Sequence, residues 1–288
     1  CLKDTHTKSR KKRKVRRKNH FRLNRRRKLK CKFMSRIIAD TNVWYLLGAD
    51  EKLFESVRQS IVPVYNNLWE MSTTGLLHND VKIIKVRDAI RRIMLCQERM
   101  ILIEPLRYLV VIGNKKYKYH IRTYTIEMLK VTQMIARGFH IDDSMKERTR
   151  IAINEAKAGL SKLQQNINAM AAQCKSNIKN FKKHRECNGN MRIMVILDFM
   201  ARQAIHGNFG LHKIPFRDYE LLVRAMDCFF KKLETGELKW QRNDLFDLFN
   251  LAYVRRGDKY LTNEKRWIKI IKDAGCEEYL YKAVLPSI

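Results

Sequence analysis

From Arg36 to Ala39 the chain runs into Ile37-Ile38-Ala39, apolar without alternation, and then meets Asp40-Thr41-Asn42, the pattern of a short buried strand closed by turn formers. Helical spacing follows over about Val43–Leu47 and again over Glu51–Ser60. Ile61-Val62-Pro63-Val64 predicts a second strand, with its proline at an edge or at one end of the pairing. Tyr65 to Met71 reads as a helix carrying Glu70 and ended by Ser72-Thr73-Thr74-Gly75. From Asp80 to about Glu98 apolar residues recur at helical intervals (Ile83, Val86, Ile90, Ile93, Met94), which predicts a longer amphipathic helix. The pattern breaks at Pro105, and Leu109 to Asn114 reads as a strand and turn.

Residues 115 to 236 predict helices alone. One runs from about Asp143 to Lys183 with an apolar stripe at Leu160, Leu163, Ile167, Met170, Cys174, Ile178 and Phe181. That spacing suits a helix packed on its neighbours, and it also suits the seam of a homodimer. Two further helices are expected, over Asn190–His206 and Phe216–Glu234, the latter stopped by Gly236. Alternation of strands and helices then returns. Asn243 is the expected side-chain cap of a helix from Asp244 to about Arg255, Gly257-Asp258 a turn, and Lys259–Thr262 a strand. A helix over Glu264–Ala274 ends at Gly275, and Val284-Leu285 reads as a last strand. This order predicts an α/β fold with a central parallel sheet. It is built from residues 34–114 and 237–288, with 115–236 as a large helical insertion.

Composition sharpens the picture in two ways. Apolar residues form 45% of the 288, enough for a packed core. No apolar run is long enough for a membrane span, and none of signal-peptide type follows the basic N-terminus, so a cytoplasmic protein without a membrane partner is expected. The net charge of +31 points to polyanionic partners, because Lys and Arg on phosphates release condensed counterions. Residues 1–33 hold 17 of the 60 basic residues against one acid, a density that cannot bury itself. They read either as a disordered basic arm or as sequence upstream of a start at Met34. The seven cysteines are scattered with no C-x-x-C pair, and the histidines show no metal-binding or triad grouping.

The candidate chemistry lies in the acids. Asp40 ends the first predicted strand and Glu264 follows the last-but-one, and strand C-terminal ends are where open α/β sheets take ligands. Asp244 and Asp247 stand three residues apart on one helix face. Glu70 sits on the early helix. Tyr117 and Tyr119, interleaved with Lys115, Lys116 and Lys118, suit stacking on bases or a basic hairpin without a partner.

The strand followed by Asp40-Thr41-Asn42-Val43 resembles the opening of PIN domains, and Leu261-Thr262-Asn263-Glu264 resembles their late T-x-D or T-x-E element. The family also expects an acid on an early helix, matched by Glu70, and one at the start of the helix before the last motif. Asp244 and Asp247 compete for that place. The resemblance covers about 36–75 and 240–285, and the helices of 115–236 depart from it. It implies a three-layer α/β/α domain and a metal-dependent endoribonuclease with RNA as partner. For toxin-like members it also implies an antitoxin-like inhibitor protein. The alternative is a non-catalytic RNA-binding module or a helical interaction protein on the same fold.

The implied chemistry is physically coherent. Converging carboxylates repel one another until a divalent cation neutralises them, and an all-oxygen donor set selects Mg²⁺ or Mn²⁺ over zinc. Such an ion lowers the pKa of a bound water and holds it against a phosphodiester. Asp40 would be the central ligand, completed by Glu264 and by Asp244 or Asp247, with Glu70 orienting water; the number of ions stays open. Asn42 and Thr262 would hold the carboxylates in place. Arg242, Arg255, Arg256, Lys265 and Arg266 flank the acidic motifs, either to bind substrate phosphates or as a solvated face.

Overall fold

Strand β1 (Ile37–Ala39) is three residues long and wholly buried, so its backbone groups must find partners on both sides. The computed structural model describes residues 35–113, 123–139 and 214–282, with isolated positions between 147 and 197. Within it β1 pairs in parallel with β2 (Ile61–Val62) on one side and with β3 (Lys259–Leu261) on the other. The sheet order is β2-β1-β3, with Ile37 opposite both Ile61 and Lys259. Single parallel bridges, Val64 to Ile101 and Tyr260 to Leu280, extend the two edges. A small parallel sheet among many helices is therefore the observed architecture, in keeping with the expected α/β class.

Helices α1 (Thr41–Ala49), α2 (Glu51–Val57), α3 (Tyr65–Ser72) and α4 (Lys82–Leu95) follow close to the expected limits. Buried Val43, Trp44, Leu47 and Phe54 meet Val86, Ala89, Ile90 and Ile93 in the core. Helices α1 and α4 cross at backbone contact: a Cβ on Gly48 would lie 2.7 Å from the Ala89 nitrogen. The side chain is missing because there is no room for one.

Leu109 to Gly113 corrects the expectation of a strand there. Pro105 begins helix α5 (Pro105–Gly113), whose Tyr108, Leu109 and Val110 are buried. Proline's fixed φ suits the first helical position, and a short apolar run fits a buried helix as well as a strand.

The described residues from Arg36 onward belong to one compact unit. Helix α6 (Thr123–Arg137) packs on α3 and α4, and α7 (Glu220–Thr235) packs on α9 (Lys265–Asp273), so helices from within 115–236 contribute to the same core. The expected helix from Phe216 opens as a short 3₁₀ turn, Phe216–Tyr219, before α7. Gly236 stops α7 in the left-handed region at φ 78°, a conformation L side chains rarely adopt. Isolated described positions in 147–172 are helical, and Asn168 pairs reciprocally with the Trp240 backbone, giving 2.8 Å from the Trp240 N–H and 3.2 Å to its carbonyl. The stripe of the 143–183 helix at Leu160, Leu163, Ile167, Met170, Cys174, Ile178 and Phe181 lies outside the described residues. So do the Tyr117–Tyr119 segment, residues 1–33 and Val284-Leu285, and of the 190–206 helix only Ile193 and Leu197 are described, both helical and buried.

Helix α8 (Asp244–Leu251) is shorter than expected, and Asn243 makes no side-chain cap bond. Asn243 itself adopts helical φ and ψ, which removes its side chain from capping geometry. The Asp244 carboxylate instead turns back to accept the Gln241 N–H. Among the described residues no helix is long and apolar enough to cross a membrane.

Candidate metal centre

Asp40 leaves β1 at its C-terminal end, and its N–H donates to the Leu261 carbonyl at 2.9 Å, the last rung joining β1 to β3. Because the strands are parallel, the residues after β1 and after β3 emerge at the same edge of the sheet. That register brings Thr262 and Glu264 to Asp40. The Thr262 hydroxyl donates to Asp40 Oδ2 at 3.1 Å and accepts the Glu264 N–H at 3.1 Å. Asp40 Oδ1 accepts the Asn42 N–H at 3.4 Å, so the residue also caps α1. The Asn42 side-chain amide donates to Glu264 Oε1 at 2.8 Å. Both sequence-predicted helpers thus hold a carboxylate.

Asp247 comes from one turn inside α8. One carboxylate oxygen from each of Asp40, Asp247 and Glu264 lies within 4.8 Å of the others. Among the described residues this is the group of side chains that could hold a metal ion. Asp40 and Asp247 are buried and Glu264 is half-buried. Burial, followed by repulsion from Glu264, raises the Asp40 pKa. Burial, followed by Asp40, Glu264 and Glu70, raises that of Asp247. The buried indole N–H of Trp267 has no hydrogen-bond partner, and it lies near enough to Asp247 to oppose that rise. A hard dication, which prefers oxygen donors, fits this donor set.

Glu70 stands beside the three rather than among them. Its carboxyl is pushed up to about 8 by burial and then by Asp40 and Glu264, with the Thr41 hydroxyl partly offsetting them. Asp244 goes elsewhere. It is buried and pairs with Arg266 at 3.0 Å, and desolvation raises its pKa to about 6. Of the two acids that compete on spacing, Asp247 is the one in the cluster.

No protein-family model, curated protein or solved structure matches this chain. The geometry therefore stands on its own residues.

The basic residues divide. Arg242 and Lys265 are exposed near the first turns of α8 and α9. Arg255 and Arg256 precede β3, at the end of the strand away from Glu264, so their sequence proximity to the acids does not carry into space. Arg255 pairs with Asp218 at 2.8 Å and Arg256 is exposed. Arg266 is folded in against Asp244 rather than presented to solvent.

Four asparagine and threonine contacts escaped sequence reasoning. Buried Asn67 accepts the Val64 N–H at 3.0 Å and donates to the Ala39 carbonyl at 3.1 Å and to Thr41 Oγ1 at 3.2 Å. It thereby fixes the start of α3 to the end of β1. Asn66 donates to Asn250 Oδ1 at 3.1 Å inside the core. Asn66 is one turn before Glu70 and Asn250 one turn after Asp247, so this bond sets the two acid-bearing helices against each other. Trp69 and Phe246 stack at 4.9 Å at the same crossing. The adjacent asparagines at the start of an otherwise apolar helix were the available signal, since buried amides require partners.

The described cysteines behave as small core residues. Cys96 and Cys276 are buried and free, and Cys228 is half-buried and free.

Proposed function

We propose that the protein is a PIN-like endoribonuclease dependent on Mg²⁺ or Mn²⁺, with Asp40, Asp247 and Glu264 as metal ligands and Glu70 beside them. The observation that carries this reading is the convergence of those three carboxylates at one end of a parallel sheet. Asn42 and Thr262 hold two of them in place, an arrangement a plain binding surface has no need of. A bound divalent ion supplies Lewis-acid activation of water and neutralises charge on the phosphodiester. The chain's own residues do the positioning. Thr262 fixes the orientation of Asp40, and Asn42 fixes that of Glu264. Glu70, buried beside the cluster, suits accepting a proton from a water at its edge once a bound cation offsets the repulsion from Asp40 and Glu264 that otherwise keeps its carboxyl protonated. Exposed Arg242 and Lys265 suit steering of a phosphate backbone to this edge.

The net charge of +31 favours a second reading, a non-catalytic RNA-binding module. Labelled RNA incubated with and without Mn²⁺ separates the two. Products that vanish in EDTA and in Asp40→Asn support the nuclease. RNA bound tightly and left intact in Mn²⁺, with Asp40→Asn binding equally well, rejects it in favour of the binder.

A further inference from the structure

Arg266 is held on three sides. It donates to Asp244 Oδ2 at 3.0 Å and to the Lys239 carbonyl at 2.8 Å, and its guanidinium lies 5.6 Å from the centre of the Phe229 ring. Its side chain is only 20% exposed, so it is not offered to a polyanion. Asp244 Oδ2 is doubly occupied, since it also accepts the Gln241 N–H. Among the described residues Asp244 is the one of the five candidate acids with a cation against it. It is also near enough to Glu264 for that carboxylate to raise its pKa. One turn further along α8, Asp247 joins Asp40 and Glu264.

We propose that Arg266 is a fixed counter-cation that removes Asp244 from the ligand set, so that the acid cluster takes one divalent ion rather than two. This rests on the reading of the cluster as a metal site. A metal bound to Asp244 Oδ2 would have to displace a charge-assisted hydrogen bond and sit against a like charge a few ångströms away. Sequence supplies both halves of the device from neighbouring positions. Asp244 and Asp247 share a helix face, Glu264 and Arg266 are two residues apart, and each acid on α8 is matched to one of them. Asp247 shares the acid cluster with that carboxylate, where the two would hold an ion together with Asp40, and Asp244 meets the guanidinium directly. Arg266 acts here as a positioning residue.

Mn²⁺ titration of the full chain, followed by the electron paramagnetic resonance of free Mn²⁺, reads the count directly. The wild type is expected to bind one ion per chain. Arg266→Met is expected to bind a second, weaker ion, and Arg266→Met with Asp244→Asn to return to one. Asp244→Asn alone should keep the single ion with affinity within about threefold, whereas Asp247→Asn should lose at least about tenfold. Two ions on the wild type, or a count of one in folded Arg266→Met, overturns the proposal while leaving the metal reading intact. Should Arg266→Met fail to fold by circular dichroism, the comparison of Asp244→Asn with Asp247→Asn decides, and equal losses overturn it. A wild type that binds no Mn²⁺ overturns the metal reading and the count of one together.

Discussion

Asn42 donates its side-chain amide to Glu264 at 2.8 Å, across 222 positions of sequence. The bond crosses from the first turn of α1 to the residue before α9, and it is made on the exposed side of the acid cluster. It does little for the core and much for the direction of one carboxylate.

Asn42→Ala tests that division. The variant should fold with a stability within about 1 kcal/mol of wild type, as expected for loss of one exposed hydrogen bond. Its Mn²⁺ affinity should fall by about tenfold or more, because Glu264 is then free to rotate away. Calorimetric titration gives the affinity and urea unfolding the stability. A loss of stability without a loss of affinity would mean that Asn42 is structural.

The acids predict an unusual pH dependence for the metal-free protein. Glu70 rises from its ordinary value of 4.5 to about 8 on folding, Asp244 rises from 3.8 to about 6, and Asp40 and Asp247 move the same way. A carboxyl with a raised folded pKa favours the protonated native state. The folded protein is therefore undisturbed by these groups below about pH 4. Stability is lost as pH climbs from the unfolded value to the folded one, by at most about 1.4 kcal/mol per group for each pH unit between them. The melting temperature in EDTA should fall between pH 5 and pH 8, and Mn²⁺ should restore it most at the upper end.

Glu70→Gln should remove part of that penalty. In EDTA at pH 8 it should be more stable than wild type by about 1 kcal/mol or more, and at pH 5 nearly equal to it. Under the nuclease reading the same variant should lose cleavage in Mn²⁺. Thermal unfolding at the two pH values checks the first half, and the labelled-RNA assay the second.

Asn67 is expected to be costly to replace. Asn67→Leu removes its buried bonds to Val64, Ala39 and Thr41 and leaves the Val64 N–H without the amide oxygen it donates to. A loss of about 2–4 kcal/mol in urea unfolding is expected, since each orphaned polar group costs about 1–3 kcal/mol.

Gly48→Ala probes the closest helix crossing. The added Cβ would lie 2.7 Å from the Ala89 nitrogen, a backbone atom that cannot step aside. Forced separation of α1 and α4 should cost about 1–3 kcal/mol, the usual range for overpacking, read as a lowered denaturant midpoint.

Much of this arrangement was legible in the chain because strands and acids mark each other. β1 and β3 are short apolar segments that end in Asp40 and in Thr262-Asn263-Glu264, and their parallel pairing carries both acids to one edge. What stayed hidden depends on packing across long separations. Whether Leu109 lies in a strand or a helix is decided by its neighbours, since its apolar run is too short for periodicity to speak. The choice between Asp244 and Asp247 is decided by Arg266, whose partner cannot be read from its own surroundings in sequence. Arg255 and Arg256 look adjacent to Glu264 along the chain, yet a three-residue strand intervenes and places them at the other end of the sheet.

The pairing of β1 with β3 also sets when the acid cluster can exist. A chain synthesised from its N-terminus exposes Asp40 and Glu70 long before Asp247 and Glu264 have been made. Closing so long a loop is entropically costly and slow compared with forming local helices. Until that closure the growing polypeptide holds two isolated acids and no ligand cage. The candidate metal site is thereby withheld from the nascent chain, and it forms only once α8, β3 and the start of α9 have left the ribosome.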